Sequence, residues 1–277
     1  MMGTHASQVR VHRHVASAMP VNAYLVESPG GVVAVDCTLT VSDARALRRR
    51  VVEIGKPLQA VLLTHAHPDH YGGAVELVGH DEIPIIATQG VDAVIRRDDE
   101  IKEQIIRPMF GDEWPRERAF PNQTVSDGEA VEFDGVTFTA VDLGPGESPH
   151  DSVWLVGDDR LLAFAGDEAY QQMHCYLADG FWESWRTNIS RLRTELAPEA
   201  EVAFGHGEPQ PSPPFDWQEG YINAFVEAIQ EADWSDREAA KQAVVKRMTD
   251  YLPGGELQFL MELSIEPVAT KLGLVEE

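Results

Sequence analysis

Short apolar runs alternate with amphipathic stretches through the first two thirds of the chain. Residues 9–15, 22–27 and 32–36 are rich in β-branched side chains and predict three strands, with Pro29-Gly30-Gly31 as a hairpin turn between the last two. Ser42 or Asp43 can cap a helix that runs to about Ile54 and is stopped by Gly55 and Pro57. Residues 60–63 are apolar throughout, the pattern of a strand buried on both faces. A His-rich loop follows, then a helix near 73–77, a strand at 84–87 and a helix at 90–97. Residues 98–122 are charged and carry Pro108, Gly111, Pro115 and Pro121, which predicts a loop or lid. Strands resume at 130–133, 136–142, 153–156 and 161–165. Trp182, Trp185, Ile189, Leu192 and Leu196 form one stripe of a helix. Residues 201–204 give a last strand, ending in Gly205-His206-Gly207. EPQPSPP, residues 208–214, reads as a linker, and residues 215–277 as wholly helical. In that tail Tyr221, Phe225 and Ile229, then Phe259, Leu260 and Leu263, give apolar faces. They predict burial against the chain's own core, a lid over a pocket, or a homodimer contact. The alternation of strands and helices places the chain in the α/β class.

Composition narrows what such a fold can do. The chain has 277 residues, 43% of them hydrophobic, enough for a sizeable core. Lys and Arg number 22 against 46 Asp and Glu, a net charge of −24. That charge repels phosphates and argues against nucleic acid as partner, although a salty cytosol would shorten the field. Lysine occurs only at positions 56, 102, 241, 246 and 271, and the carboxylates are spread along the chain. This resembles proteins of salt-loving organisms; an ordinary acidic protein is the alternative. Two cysteines, Cys37 and Cys175, exclude a disulfide scaffold and a four-cysteine zinc module. No apolar run approaches the roughly 20 residues that span a bilayer. The first residues lack the apolar stretch of a signal peptide, so a cytoplasmic protein without a membrane partner is expected.

The strongest chemical signal is THAHPDHYGG, residues 64–73. It follows a buried strand, so its side chains gather at a strand's C-terminal end, where α/β sites form. His65 and His67 alternate on extended chain and can point the same way. Asp69 and His70 add a carboxylate and a third imidazole after Pro68. Three imidazoles and a carboxylate within six residues suit one or two borderline metal ions such as zinc. Other candidates carry less. His5 lies in a terminus expected to fray, His12 and His14 share a strand face without a completing ligand, and His80 is expected to be solvated. Cys37 reads as core, and Cys175 has no basic partner to activate it.

THAHPDH resembles the His-x-His-x-Asp-His signature of the metallo-β-lactamase superfamily. The resemblance covers roughly residues 9–210 and implies a four-layer αββα sandwich, with residues 1–210 as that domain and 211–277 as a helical C-terminal extension. It implies that His65 and His67 serve a first metal, and Asp69 and His70 a second. Asp36, ending GVVAVD, matches a strand-terminal Asp that supports the metal loop. Asp167 in AFAGDEAY matches a bridging carboxylate, and His206 in AFGHGEP the last ligand of the second metal. HCYLADGFWESWRTNISRL resembles a subgroup that carries a His there, which makes His174 either a substrate-binding pocket residue or a plain surface histidine. One motif departs. Where the family has a His, the stretch DLGPGESPHDSVWL has Glu147, with His150 just beyond. Glu147 can ligate, giving a harder site that tolerates iron or manganese; His150 can supply the imidazole instead; or the first site is weak and one ion stays.

The resemblance implies two zinc ions sharing a water whose pKa falls to about 7, with the hydroxide attacking a small ester, thioester, lactone or amide. Asp69 would orient that hydroxide and Asp167 would bridge the ions. A mononuclear iron dioxygenase acting on a thiol or persulfide is the alternative on the same scaffold. A non-catalytic binding protein is a further one, weakened by the intact ligand positions.

Overall fold

Three neighbouring strands, β2 (Asn22–Glu27), β3 (Val32–Val35) and β4 (Leu58–Leu62), divide their side chains between two cores with the two-residue period of extended chain. Ala23, Leu25, Val32, Ala34 and Val61 enter one core, and Tyr24, Val26, Val33, Val35, Ala60 and Leu62 enter the other. This is the computed structural model of the chain, and it describes residues 9–158, 161–209 and 215–276. Strands β1 (Arg10–Val15), β5 (Ile85–Thr88) and β6 (Gln123–Val125) complete a six-stranded sheet in the order β1-β2-β3-β4-β5-β6. It is antiparallel from β1 to β3 and parallel from β3 to β6.

The second sheet contains β7 (Ala130–Phe133), β8 (Val136–Gly144), β9 (Asp151–Val156), β10 (Leu162–Tyr170) and β11 (Glu201–His206), in the order β11-β10-β9-β8-β7. Only its β10–β11 pair is parallel. Phe138, Trp154 and Phe164 fill the space between the sheets. Trp154 Nε1 also donates to the Leu63 carbonyl at 3.0 Å, joining the second sheet to the end of β4.

Helices cover both outer faces. Helices α1 (Val41–Ile54), α2 (Pro68–Tyr71), α3 (Ala74–Val78) and α4 (Gln89–Phe110) lie on the first sheet. Helices α5 (Trp182–Glu195), α6 (Phe215–Glu231) and α8 (Gln258–Lys271) close a third core on the second sheet, and α7 (Arg237–Tyr251) packs on α6 and α8. Three apolar cores between four layers make the αββα sandwich with a helical C-terminal region. Among the described residues, no helix is long and apolar enough to cross a membrane.

Three local expectations are corrected. Helix α1 is capped by Thr40, whose hydroxyl accepts from Asp43 N–H. The Asp43 carboxylate accepts from the Thr40 hydroxyl and from the Ser17 and Ala18 N–H groups, tying the cap to the segment after β1. The charged stretch expected as a loop or lid instead continues α4 to Phe110. Ile101, Ile105, Ile106 and Met109 carry helical spacing there, and Glu103 pairs with Arg107 one turn on. Pro108 removes one helical hydrogen bond, to the carbonyl of residue 104, and the helix ends two residues beyond it. Residues beyond α4 are held on it by fully buried Trp114, whose Nε1 donates to Glu103 at 2.7 Å. The tail's apolar faces also separate. Tyr221, Phe225 and Ile229 are fully buried in the third core, whereas Phe259 and Leu263 are exposed. His5 and residues 210–214 of the expected linker lie outside the described residues.

Candidate metal centre

The segment after β4, a bulge in β10, the end of β11 and the connection between β8 and β9 bring the candidate ligands together, supported from the end of β3. Beyond β3, Asp36 adopts φ +60°, an uncommon conformation for a non-glycine residue. It turns the carboxylate under the His-rich loop, where it accepts from Thr64 N–H and Thr64 Oγ1, both at 2.9 Å, and from His70 Nδ1 at 2.8 Å. The loop after β4 presents His65 and His67, and α2 carries Asp69 and His70. A register shift in β10 around Gly166, φ +50°, brings Asp167 to the same point. A Cβ at Gly166 would sit 2.5 Å from Thr64 Oγ1, so the close approach of the two strands needs glycine. His206 ends β11, and Glu147 lies between β8 and β9.

These residues form two buried groups: His65, His67, Glu147 and Asp167; and Asp69, His70 and His206. In the first, His67 Nδ1 lies 2.9 Å from Glu147 Oε2, and His65 Nε2 lies 3.8 Å from Glu147 Oε2 and 3.9 Å from Asp167 Oδ2. In the second, Asp69 Oδ2 is 3.6 Å from His70 Nε2 and 3.4 Å from His206 Nε2. Asp167 reaches this group too, at 3.4 Å from His70 and 3.3 Å from His206. Ligand atoms held about 2.1 Å from one zinc ion stand about 3.4 Å apart at tetrahedral angles. The observed separations fit that spacing.

The outer shell fixes which nitrogen of each imidazole faces inward. Thr64 Oγ1 donates to Asp36 and so accepts from His65 Nδ1 at 3.0 Å. Asp36 holds His70 Nδ1, Asp179 holds His67 Nε2 at 3.1 Å, and the Pro20 carbonyl holds His206 Nδ1 at 2.7 Å. The remaining nitrogen of all four rings is left facing the carboxylates. His65 Nε2, His70 Nε2 and Asp167 Oδ1 are buried and find no hydrogen-bond partner among the described residues. Buried polar atoms left in this state are costly, and a divalent cation in each of the two groups would satisfy them. The donor set fits such an ion.

Sequence reasoning missed Asp179 and Tyr170. The Tyr170 hydroxyl lies 3.0 Å from Glu147 Oε1 and 2.9 Å from Asp167 Oδ2, and its ring stacks on His206. No pattern marked either residue, because the contacts arise from the β10 bulge and the turn before α5. Glu147 and His150 are placed differently. Glu147 enters the cluster, whereas His150 Nε2 bonds Asp142 Oδ1 at 2.6 Å and stands outside it. His174 is neither on the surface nor among the cluster residues. It is buried, with Nδ1 2.9 Å from the Tyr221 hydroxyl of α6. Cys175 is buried as well, and accepts from Gln218 Nε2.

Burial raises Glu147, against the pull of neighbouring His67, and holds His65 well below the ordinary imidazole range. Burial also opposes charge on His67 and His206. There it is outweighed by Glu147 and Asp179 around His67, and by Asp167 and Asp69 around His206, so both rings are pushed up to about 10. At neutral pH each therefore carries a proton that a metal ion must displace. Metal uptake is expected to release protons, with affinity rising as pH climbs from 6.5 towards 10. Titration calorimetry in buffers of different ionisation enthalpy reads this directly. Heats independent of buffer would contradict it.

The sequence matches the Metallo-beta-lactamase superfamily over residues 16–207. The chain is 31% identical over 170 residues to the hydroxyacylglutathione hydrolase GloC of Haemophilus influenzae, covering 60% of this chain and 76% of that protein. A beta-lactamase domain protein from Burkholderia ambifaria shares the fold with TM-score 0.68 at 20% identity, over 99% of this chain and 90% of that one. A metallo-beta-lactamase family protein from Thermus thermophilus does so with TM-score 0.65 at 21% identity, over 95% and 94%. With the His-rich loop, the αββα layers and a sequence match across more than half its length, the chain belongs to the metallo-beta-lactamase superfamily.

Proposed function

We propose that the chain is a metal-dependent hydrolase of small esters, thioesters, lactones or amides. Its expected load is two zinc ions, one held by His65, His67 and Glu147 and one by Asp69, His70 and His206, with Asp167 shared. The observation that carries this reading is the set of four imidazoles, each fixed from outside and each turned inward on a carboxylate. The Glu147 oxygen leaves room for iron or manganese at the first position. Similarity to a protein named as a hydroxyacylglutathione hydrolase supports hydrolysis as the reaction class.

Such ions, when bound, supply Lewis acidity and a water acidic enough to be a nucleophile at neutral pH. The chain's own groups do the rest. Burial works against the Asp69 charge, but His70 and His206 hold this carboxyl below its usual range, so it stays ionised and can orient the attacking water. Tyr170 spaces the Glu147 and Asp167 carboxylates. Asp36 locks His70 and the Thr64 turn. His67, Asp69, Glu147, Asp167 and His206 all line a cavity of about 430 Å³. That volume suits a small molecule, for which sites run from roughly 300 to 1,000 Å³.

A mononuclear iron dioxygenase would use the first group alone and leave the buried His70 Nε2 without a partner, so the two-ion hydrolase is preferred. Elemental analysis of purified protein, beside a screen of esters, thioesters, lactones and amides, tests the choice. Zinc with hydrolysis that chelation abolishes is the expected result. Iron with oxygen uptake and no hydrolysis would overturn it.

A further inference from the structure

Helix α4 changes its surroundings halfway along. In its first half Val91, Val94 and Ile95 are buried on the first sheet. In its second half Lys102, Ile105, Ile106, Met109 and Phe110 recur at i, i+3, i+4, i+7 and i+8, and all five line the cavity that ends on the metal cluster. Phe259, Leu260 and Leu263 of α8 line it as well. Ile105 is 53% exposed, Met109 65%, Phe259 45% and Leu263 59%. Nine large apolar side chains are exposed among the described residues, and these four belong to one cavity. A concentration of exposed apolar surface marks a binding site rather than a folding need.

From these observations we infer that α4 and α8 form an acyl-binding wall, which selects substrates carrying an unbranched apolar chain beside the scissile bond. The inference rests on the hydrolase reading and specifies its substrate class. The wall is continuous with the catalytic end of the cavity, because Glu147, Asp167 and His206 line the same space. Its one charged member, Lys102, lies within electrostatic reach of His67 and Asp179 and so marks the end nearest the metal cluster. From Lys102 to Met109 the helix rises about 10 Å, and its cavity face is apolar after the first residue. A polar substrate would leave this surface wet. A methylene chain laid along it gains about fourfold in affinity per carbon, the equivalent of about 0.8 kcal/mol.

The test titrates the metal-loaded full chain with acetate, butyrate, hexanoate, octanoate and decanoate by calorimetry, and runs the matching ester series for kcat/KM. Both affinity and kcat/KM are expected to rise about three- to fourfold per methylene until the chain outgrows the wall. In the double variant Ile105→Asp, Leu263→Asp the slope is expected to flatten. Both positions are exposed, and circular dichroism checks that the fold is kept. A flat series in the unaltered protein, or an unchanged slope in the double variant, overturns the inference. So does a dimer that the double variant dissociates while the slope stays unchanged, since a second copy would then own the face. A binding slope without turnover of any ester would sink the hydrolase reading and leave the wall standing.

Discussion

Asp167→Asn is expected to lower hydrolysis by about a thousandfold or more and to reduce the metal bound per chain. Asp167 is within 4 Å of His65 on one side and of His70 and His206 on the other, so it belongs to both ligand groups. Asparagine keeps the shape and removes the negative charge. Metal charge at a hydrolytic centre is worth several kcal/mol of transition-state stabilisation, and about 4 kcal/mol corresponds to a thousandfold in rate. The position has no slack: a Cβ on neighbouring Gly205 would overlap the Asp167 carboxylate. Metal content by elemental analysis and kcat/KM on one reactive ester read the effect. A variant with full metal content and activity within about tenfold of the unaltered protein would remove Asp167 from its shared role.

Trp154→Ala is expected to cost about 3–5 kcal/mol of stability. In a chain of this size that lowers Tm by roughly 6–20 °C. Trp154 is fully buried between the sheets among Phe138 and Phe164, so truncation to alanine leaves a cavity there. Its indole also donates to the Leu63 carbonyl, two residues before His65. The substitution therefore loosens the strand that carries the metal loop, and metal affinity is expected to fall with Tm. Calorimetric melting with and without added zinc measures both. A Tm within about 2 °C of the unaltered protein would contradict the packing account.

The periodicity of the chain made most of the architecture legible. Residues 60–63, apolar throughout, announced a strand buried on both faces, and β4 does lie between two cores. The end of α4 was not legible. Charge and Pro108 masked a helical stripe, Ile105, Ile106 and Met109, whose spacing was present in the sequence but which faces a cavity instead of a core. The centre shows the same division. Residues joined by short sequence spacing, His65, His67, Asp69 and His70, stood out in THAHPDHYGG. Asp167, His206 and Glu147 were reached through resemblance to a family, and the structure brings them to the same point. Asp179 and Tyr170 act through long-range contacts that no local pattern encodes. His174 lies under α6 because the tail covers the second sheet, a packing decision made far from its own segment. The acidity is mostly separate from the chemistry: among the described residues only Asp36, Asp43, Asp69, Glu147, Asp151, Asp167 and Glu168 are buried carboxylates, against 46 acidic residues in the chain.

The central claim is that hydrolysis depends on both ligand groups. His65→Ala together with Asp69→Ala removes one inward-facing ligand from each. This double variant is to be assayed beside the unaltered protein on the best ester or thioester from the screen. It is expected to bind less than one metal ion per chain and to show no hydrolysis above the chelated control. Hydrolysis that survives in the double variant at a rate near that of the unaltered protein would contradict the claim.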